Sequence, residues 1–350
     1  MSPISLLRHS LPAALSRAFG PSPKPELQLP ADVSREHRKR WSSELNEAQR
    51  IQLELAKCTA HLRDPASKKR IADAAGLREF PSRRARDLTV SDPAAGDPGA
   101  LNASWYGKGD RRAGGALVTG TPQVRQSIAW AAACAEHGIA FVVDMGTPEE
   151  ASRLNHCMRS SAPAVFKDHA VTFETPSSLS GHREQTRLPQ LGSGAWSRQV
   201  KVTMDTHRLD GQGRREAVPA GLGSGAGNLS HKLRWLNVPS ASNRAISPEA
   251  LLHTCQHLGS LGVGKDQAVA FMSPGGDRRA EVFAAAWNIQ REIDRGAWSA
   301  KQMPGLVEVA CLTMRIERDA GAFGAKEDIA SLLAFARLAH ADHERRAMGR

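Results

Sequence analysis

The sequence predicts an α/β (α+β) chain: a mixed β-sheet flanked by helices on both sides, preceded by a disordered and then helical N-terminal region. Three observations carry that expectation. From Leu101 onward, short apolar runs rich in β-branched residues alternate with helix-capping signals, as when strands hand over to helices. Within residues 171–220 the pattern turns antiparallel: RQVKVTMDTHRL (Arg198–Leu209) alternates through Val200, Val202 and Met204, and Asp210-Gly211 supplies a hairpin turn before a returning strand. Finally, AVAFMSPGGDRRAEVF (Ala268–Phe283) begins as a buried strand, crosses a glycine-containing loop and ends as the first turns of a helix.

Taken in order, residues 1–33 are a different kind of sequence. MSPISLLRHSLPAALSRAFGPSPKP holds no acidic residue before Glu26, and its prolines at 3, 12, 21, 23 and 25 forbid one stable helix. It lacks the long apolar core of a secretory signal peptide, so it reads as a disordered secretion or targeting segment. Residues 34–79 form a helical region, with a polar helix from about Ser34 to Leu62 and an apolar stripe of Leu45, Ile51, Leu53 and Leu55. Arg63 to Gly99 is rich in Arg, Asp, Pro and Gly, and a domain boundary is expected near Leu77 to Pro81, with the main domain over 80–345.

In that domain Ala116–Thr119 is a short strand. Thr121-Pro122 opens a helix to about Glu136, stopped by Gly138. Ile139–Met145 is a buried strand, and Thr147-Pro148-Glu149-Glu150 opens a further helix. Gly221–Ser230 is a flexible connection. Ser247-Pro248-Glu249 begins a helix to about Leu258, and Val282, Ala286, Ile289 and Ile293 mark the buried face of another after Arg278. There is no internal repeat.

Composition narrows the function classes. The 350 residues carry 47 Lys plus Arg against 36 Asp plus Glu, a net charge of +11, with 41% hydrophobic residues and 5% aromatics. Such a surplus favours phosphorylated or acidic partners in general. A nucleic-acid or acidic-surface binder would fit the charge, but no interleaved aromatic and basic motif supports it. The five cysteines, Cys58, Cys134, Cys157, Cys255 and Cys311, are widely spaced and odd in number, which argues against a disulfide framework and a zinc site. They read as free thiols, with Cys134 and Cys311 as core fillers. No apolar run reaches the ~18–20 residues of a membrane span. Neither a cofactor nor a metal site is expected.

Two segments compete as phosphate loops. GSLGVGKD (Gly259–Asp266) has the G-x-x-x-x-G-K spacing of a nucleotide-binding loop, yet Asp266 stands where a Ser or Thr would hold magnesium. Its context is also reversed, after a helix and before a strand. The loop Ser273, Pro274, Gly275, Gly276, Asp277, Arg278 has the right context: backbone N–H groups, a helix N-terminus and an arginine converge on one point.

This second loop resembles the signature loop of the protein tyrosine phosphatases, in which a catalytic Cys and an Arg bracket five residues. Met272 and Arg278 have that spacing, and Ser273 and Gly275 match the family's small residue and glycine. Leu101-Asn102-Ala103-Ser104 looks like its "INAS" strand, and Gly120–Gln123 stands where its Q-G-P turn does. Trp235, Leu236 and Asn237 take the place of the mobile Trp-Pro-Asp loop, and Arg315–Asp328 looks like the late segment that carries a water-positioning glutamine. The resemblance spans about residues 80–340 and is nearest to bacterial type III-secreted phosphatases of the YopH kind. It implies secretion into a host cell, a chaperone-binding region before the catalytic domain, and a protein partner, phosphotyrosine-containing or unmodified. Without secretion the chain would be cytoplasmic.

The departures bear on the chemistry that the resemblance implies. Met272 takes the nucleophile's place with a thioether that has no proton to lose. Asn237 takes the general acid's place, Ala325 that of the water-positioning residue, and Ala85 that of the ring-flanking aromatic. Losing a covalent nucleophile costs on the order of 10⁶ in rate in a well-studied triad protease, and losing a general acid about 10²–10⁴. Ser273 is the substitute nucleophile of an alternative reading, an active but atypical phosphatase. Asp277 replaces a family glycine, and its carboxylate would pair with Arg278 or repel phosphate, with Arg279 offsetting part of the charge. The sequence therefore points to an inactive tyrosine-phosphatase-like protein, in which Arg278 either still reads phosphate or is tied to a carboxylate.

Overall fold

The computed structural model describes residues 35–60, 88–90, 99–101, 103–106, 115–121, 130, 134, 138–147, 164–166, 169–174, 186–192, 194–209, 215–217, 229–240, 245–263, 267–276, 278–296, 298–318 and 321–349. The chain divides into two compact units, Met1–Lys39 and Arg40–Arg350. Of the first, only the opening residues of helix α1 (Arg35–Ala60) are described. The second unit holds everything that follows. The disordered segment expected over 1–33 and the boundary near Leu77 to Pro81 lie outside the described residues.

From residue 40 onward, α1 buries Ala48, Ile51 and Leu55, spaced i, i+3, i+7 along one face. Leu53 was expected in this stripe and is not there. It sits two residues from both Ile51 and Leu55, about 200° around the helix, and is 57% exposed. Polar contacts fasten the same helix: Arg337 binds the buried Glu44, and Gln52 Nε2 donates to the Gly324 carbonyl at 2.6 Å.

The strands follow as β1 (Leu88–Val90), β2 (Gly99–Leu101), β3 (Ala103–Tyr106), β4 (Ala116–Gly120), β5 (Ile139–Asp144), β6 (Ala164–Phe166), β7 (His169–Glu174), β8 (Thr186–Arg187), β9 (Trp196–Leu209), β10 (Arg215–Ala217) and β11 (Leu229–Asn237). Then come α2 (Pro248–Ser260), β12 (Ala268–Ser273), α3 (Arg279–Asp294), α4 (Met303–Glu317) and α5 (Lys326–Met348). Among the described residues, β1 and β2 pair by themselves, and ten strands form one sheet in the order β3-β4-β12-β5-β11-β9-β7-β6, with β8 and β10 on β9. The centre, β4-β12-β5-β11, is parallel, and the flanks are antiparallel. This is the mixed sheet that the sequence predicts. Ser247 caps α2 as expected, its Oγ accepting from Ala250 N at 3.1 Å.

Each face of the sheet carries its own core. Val118, Phe141, Val143, Leu236, Val269 and Phe271 belong to one apolar cluster with residues of α1 to α5. Leu117, Val142, Leu233, Trp235, Ala268, Ala270 and Met272 belong to a second, which includes the helical Trp130 and Cys134. Trp130 and Trp235 anchor it with ring centroids 5.8 Å apart. Alternation along β12 therefore sends Val269 and Phe271 to one side, and Ala268, Ala270 and Met272 to the other.

Ile51→Ala should destabilise the second unit by about 2–5 kcal/mol, while Leu53→Ala should stay within about 0.5 kcal/mol. Urea denaturation of the two variants checks the pair; equal losses would contradict this placement of α1.

Candidate functional site

Because the four central strands are parallel, their carboxyl ends meet along one edge at Gly120, Ser273, Asp144 and Asn237, where open α/β sheets hold their ligands. The loop from β12 to α3 starts there. The Ser273 carbonyl accepts from Thr121 N and from Gly276 N, both at 2.9 Å, so a tight turn forms against the end of β4. Gly276 has φ +65°, and a Cβ on it would lie 2.4 Å from Gly120 N and 2.7 Å from Gly120 Cα. Only glycine fits this approach. Ser273 is buried, Pro274 half-buried and Gly275 exposed; Asp277 lies outside the described residues.

Three arginines organise the loop. Arg278 donates through Nε to Asp328 Oδ2 at 2.7 Å and through Nη2 to Asp328 Oδ1 at 3.1 Å. Burial pushes the Asp328 carboxyl above the ordinary carboxylate range, and the Arg278 guanidinium pulls it back in part. Of the two sequence-level possibilities for Arg278, the ion pair with a carboxylate is present, and the carboxylate comes from α5. Arg279, buried just inside α3, donates through Nη1 to the Ser240 and Met145 carbonyls at 2.7 and 3.3 Å and so joins the ends of β11 and β5.

Arg318 lies behind the loop. Its Nη1 donates to Ser104 Oγ at 2.6 Å and to the Val118 carbonyl at 3.0 Å, its Nε to Glu281 Oε1 at 3.3 Å, and its Nη2 to the Gly276 carbonyl.

The expected catalytic positions are placed as follows. Met272 is 0% exposed and faces the second core, with its backbone between Thr119 and Asp144. Trp235, Leu236 and Asn237 do not form a mobile loop: they are the buried last residues of β11, in register with Val142–Asp144 on one side and Trp196–Arg198 on the other. Ladders on both sides pair the backbone of this segment. The alternation of Leu233 and Trp235 with Lys232 and Arg234 was the overlooked signal that the strand continues through the tryptophan. Asn237 Nδ2 donates to the Asp144 and Gly146 carbonyls at 3.2 and 3.1 Å, an amide tying strand ends together.

Ala325 caps α5, half-buried, and its carbonyl accepts from Asp328 N at 3.2 Å. From this late segment it is Asp328, three residues on, that reaches Arg278. Sequence reasoning missed Asp328 and Arg318; the only local trace of the first is an acidic residue on the buried side of the α5 pattern. Ala85, Asn102, Pro122 and Gln123 lie outside the described residues, while Thr121 touches the loop and Ser104 its brace.

In the rival segment, α2 ends at Ser260 and Gly264 to Asp266 are outside the described residues, so a helix precedes β12 there as the sequence indicates. Cys134, Cys255 and Cys311 are buried, and desolvation pushes each thiol well above its usual range. Among the described residues no cluster of His, Cys, Asp and Glu has metal-site geometry, and no helix is long and apolar enough to cross a membrane.

No protein-family model matches the chain, and no curated protein matches it. Solved structures do share its fold. A structure of PTPN18 solved to explain its fingerprint on distinct HER2 tyrosine phosphorylation sites is 15% identical with a TM-score of 0.55, covering 87% of this chain and 98% of that one. The catalytic domain of human protein tyrosine phosphatase non-receptor type 18 is 16% identical, with a TM-score of 0.53 over 86% and 97%. The Trypanosoma cruzi protein tyrosine phosphatase TcPTP1 is 15% identical, with a TM-score of 0.51 over 87% and 95%. The chain thus has the mixed sheet and flanking helices of a tyrosine phosphatase catalytic domain.

Gly276→Ala should lose about 2–5 kcal/mol, combining a disfavoured left-handed residue with overpacking against Gly120. Gly262, at φ +73° with nothing within 4 Å of its would-be Cβ, isolates the first contribution. Gly262→Ala should lose only about 1 kcal/mol by the same denaturation measurement. Equal losses would mean that the approach to Gly120 is not the constraint.

Proposed function

We propose that this chain is a pseudophosphatase: a tyrosine-phosphatase-like protein that hydrolyses no phosphate ester and acts by binding a protein partner. One observation carries the reading: the residue at the nucleophile's place is a methionine turned into the core. Phosphoryl transfer to a side chain needs a nucleophile such as a thiolate, hydroxyl, imidazole or carboxylate, and a thioether is none of these. Asn237 adds to this, since an amide occupied with two backbone carbonyls offers no acidic proton to a leaving group. Ser273, the substitute nucleophile of the alternative reading, is buried at the end of β12.

The partner is expected to be a protein segment, phosphotyrosine-containing or unmodified. A structure of PTPN18 in complex with HER2-pY1196 phosphopeptides shares this fold, at 15% identity and a TM-score of 0.53. The basic, acid-free start of the sequence fits delivery by a bacterial type III system into a host cell, with residues 34–79 offered to a chaperone. Such a chaperone would have to lift α1 off the core that buries Ile51 and Leu55.

Purified full chain should release no phosphate from p-nitrophenyl phosphate or a phosphotyrosine peptide above buffer, even at high micromolar protein. Turnover that disappears in Arg278→Ala would overturn the reading in favour of an active phosphatase. For delivery, residues 1–33 fused to a cytosolic reporter should carry it out of a type III-competent bacterium. Retention of the fusion in those cells would remove the secretion proposal alone.

A further inference from the structure

Asp328 meets Arg278 in the way a phosphoryl group would. Its two carboxylate oxygens accept from Nε and Nη2 at 2.7 and 3.1 Å, a fork-to-fork pair in which the planar donors of arginine fit carboxylate and phosphate alike. Asp328 is 2% exposed and the Arg278 side chain 37%, so the carboxylate is presented from within the protein to an arginine that reaches solvent.

The carboxylate is also held in place. It lies in the first turn of α5, and the turn before that helix is tied from two sides. Arg315 Nε donates to the Ala322 carbonyl at 2.8 Å, its Nη2 donates to the Phe323 carbonyl at 3.4 Å, and Gln52 of α1 grips the Gly324 carbonyl. Phe323, between these contacts, is a non-glycine residue with φ 56°, a conformation that persists where the surroundings over-determine it. These bonds hold the turn from which α5, and Asp328 in its first turn, start.

We propose that Asp328 is a built-in occupant of Arg278: its carboxylate takes the paired Nε and Nη2 donors that a phosphate ester would need, and so competes with phosphate for the loop. This inference rests on the reading above, of a loop that keeps the phosphatase shape without its chemistry. The excluded ligand is a phosphate monoester, free or on a tyrosine side chain.

The test titrates inorganic phosphate and a phosphotyrosine peptide calorimetrically into the full chain, into Asp328→Asn, and into Asp328→Asn with Arg278→Ala, after each is shown to melt cooperatively. Asp328→Asn is expected to bind about tenfold more tightly or better than the unmodified chain, since a charge-assisted competitor is removed. The double variant should lose that gain. Equal affinity in folded Asp328→Asn, or a gain that survives without Arg278, would overturn the proposal. A second measurement follows the Nε–H resonance of Arg278 in the unmodified chain, which should stay nearly in place at the phosphate concentration that half-saturates Asp328→Asn; a saturating shift at that concentration would overturn the proposal. Hydrolysis of the peptide would sink the inactive-enzyme reading and not this one, which stands or falls on the Arg278-dependent difference in affinity.

Discussion

The guanidinium of Arg318 is the point on which the loop and the strands around it depend. Buried charge is tolerated only when it is paired and fully hydrogen-bonded, and Arg318 meets that condition by drawing partners from separate elements. It takes Ser104 from β3, the Val118 carbonyl from β4, the Gly276 carbonyl from the loop and Glu281 from α3. Breaking a buried pair of this kind by removing one partner costs roughly 3–5 kcal/mol. Gly276, with no Cβ to meet Gly120, has its carbonyl bound by this cation from behind.

This arrangement separates the shape of the loop from the chemistry expected of it. The shape comes from backbone turns, from one glycine with no room for a Cβ, and from arginines bonded to carbonyls. None of these groups would transfer a proton or attack phosphorus. Position 272 can therefore change without disturbing the loop, and the parity of β12 decides what suits it. The side chain falls beside Ala268 and Ala270, on the face that holds Trp235 and Trp130. An unbranched, polarizable methionine fills such a space well, whereas an ionised thiolate there would need stabilising charges. Met272 thus serves the core at the very point where β12 runs into the loop.

How far the sequence could be read follows from the range of the forces involved. β12 and α3 were legible because period-2 and period-3.6 patterns are local, and so was the cap of α2 at Ser247. The approximate span of α1 was legible too. The face of α1 was less so: a list of leucines includes the exposed Leu53 and omits the buried Ala48, because size is a weaker guide than helical angle. Trp235–Asn237 was misplaced because a tryptophan at the family's spacing outweighed the alternation running straight through it. The partners of Asp328 and Arg318 could not be found, since they lie 50 residues away at Arg278 and 200 at Val118, where no local pattern reaches.

The same long-range contacts change what the net charge of +11 means. A basic composition invites the expectation of an anionic partner, yet several arginines of the loop and of the helices are engaged within the protein. Arg278 is bound by Asp328, Arg318 by Glu281, and Arg337 by Glu44, while Arg279 and Arg315 donate to backbone carbonyls. A planar, permanently charged fork of donors suits this work of closing buried ends, and a lysine would do it poorly. Here the arginines serve as structural donors first. An anion arriving at the carboxyl edge of the sheet meets a site whose strongest paired donors already hold a carboxylate, so attraction by the whole molecule and binding at the loop are separate properties of this chain.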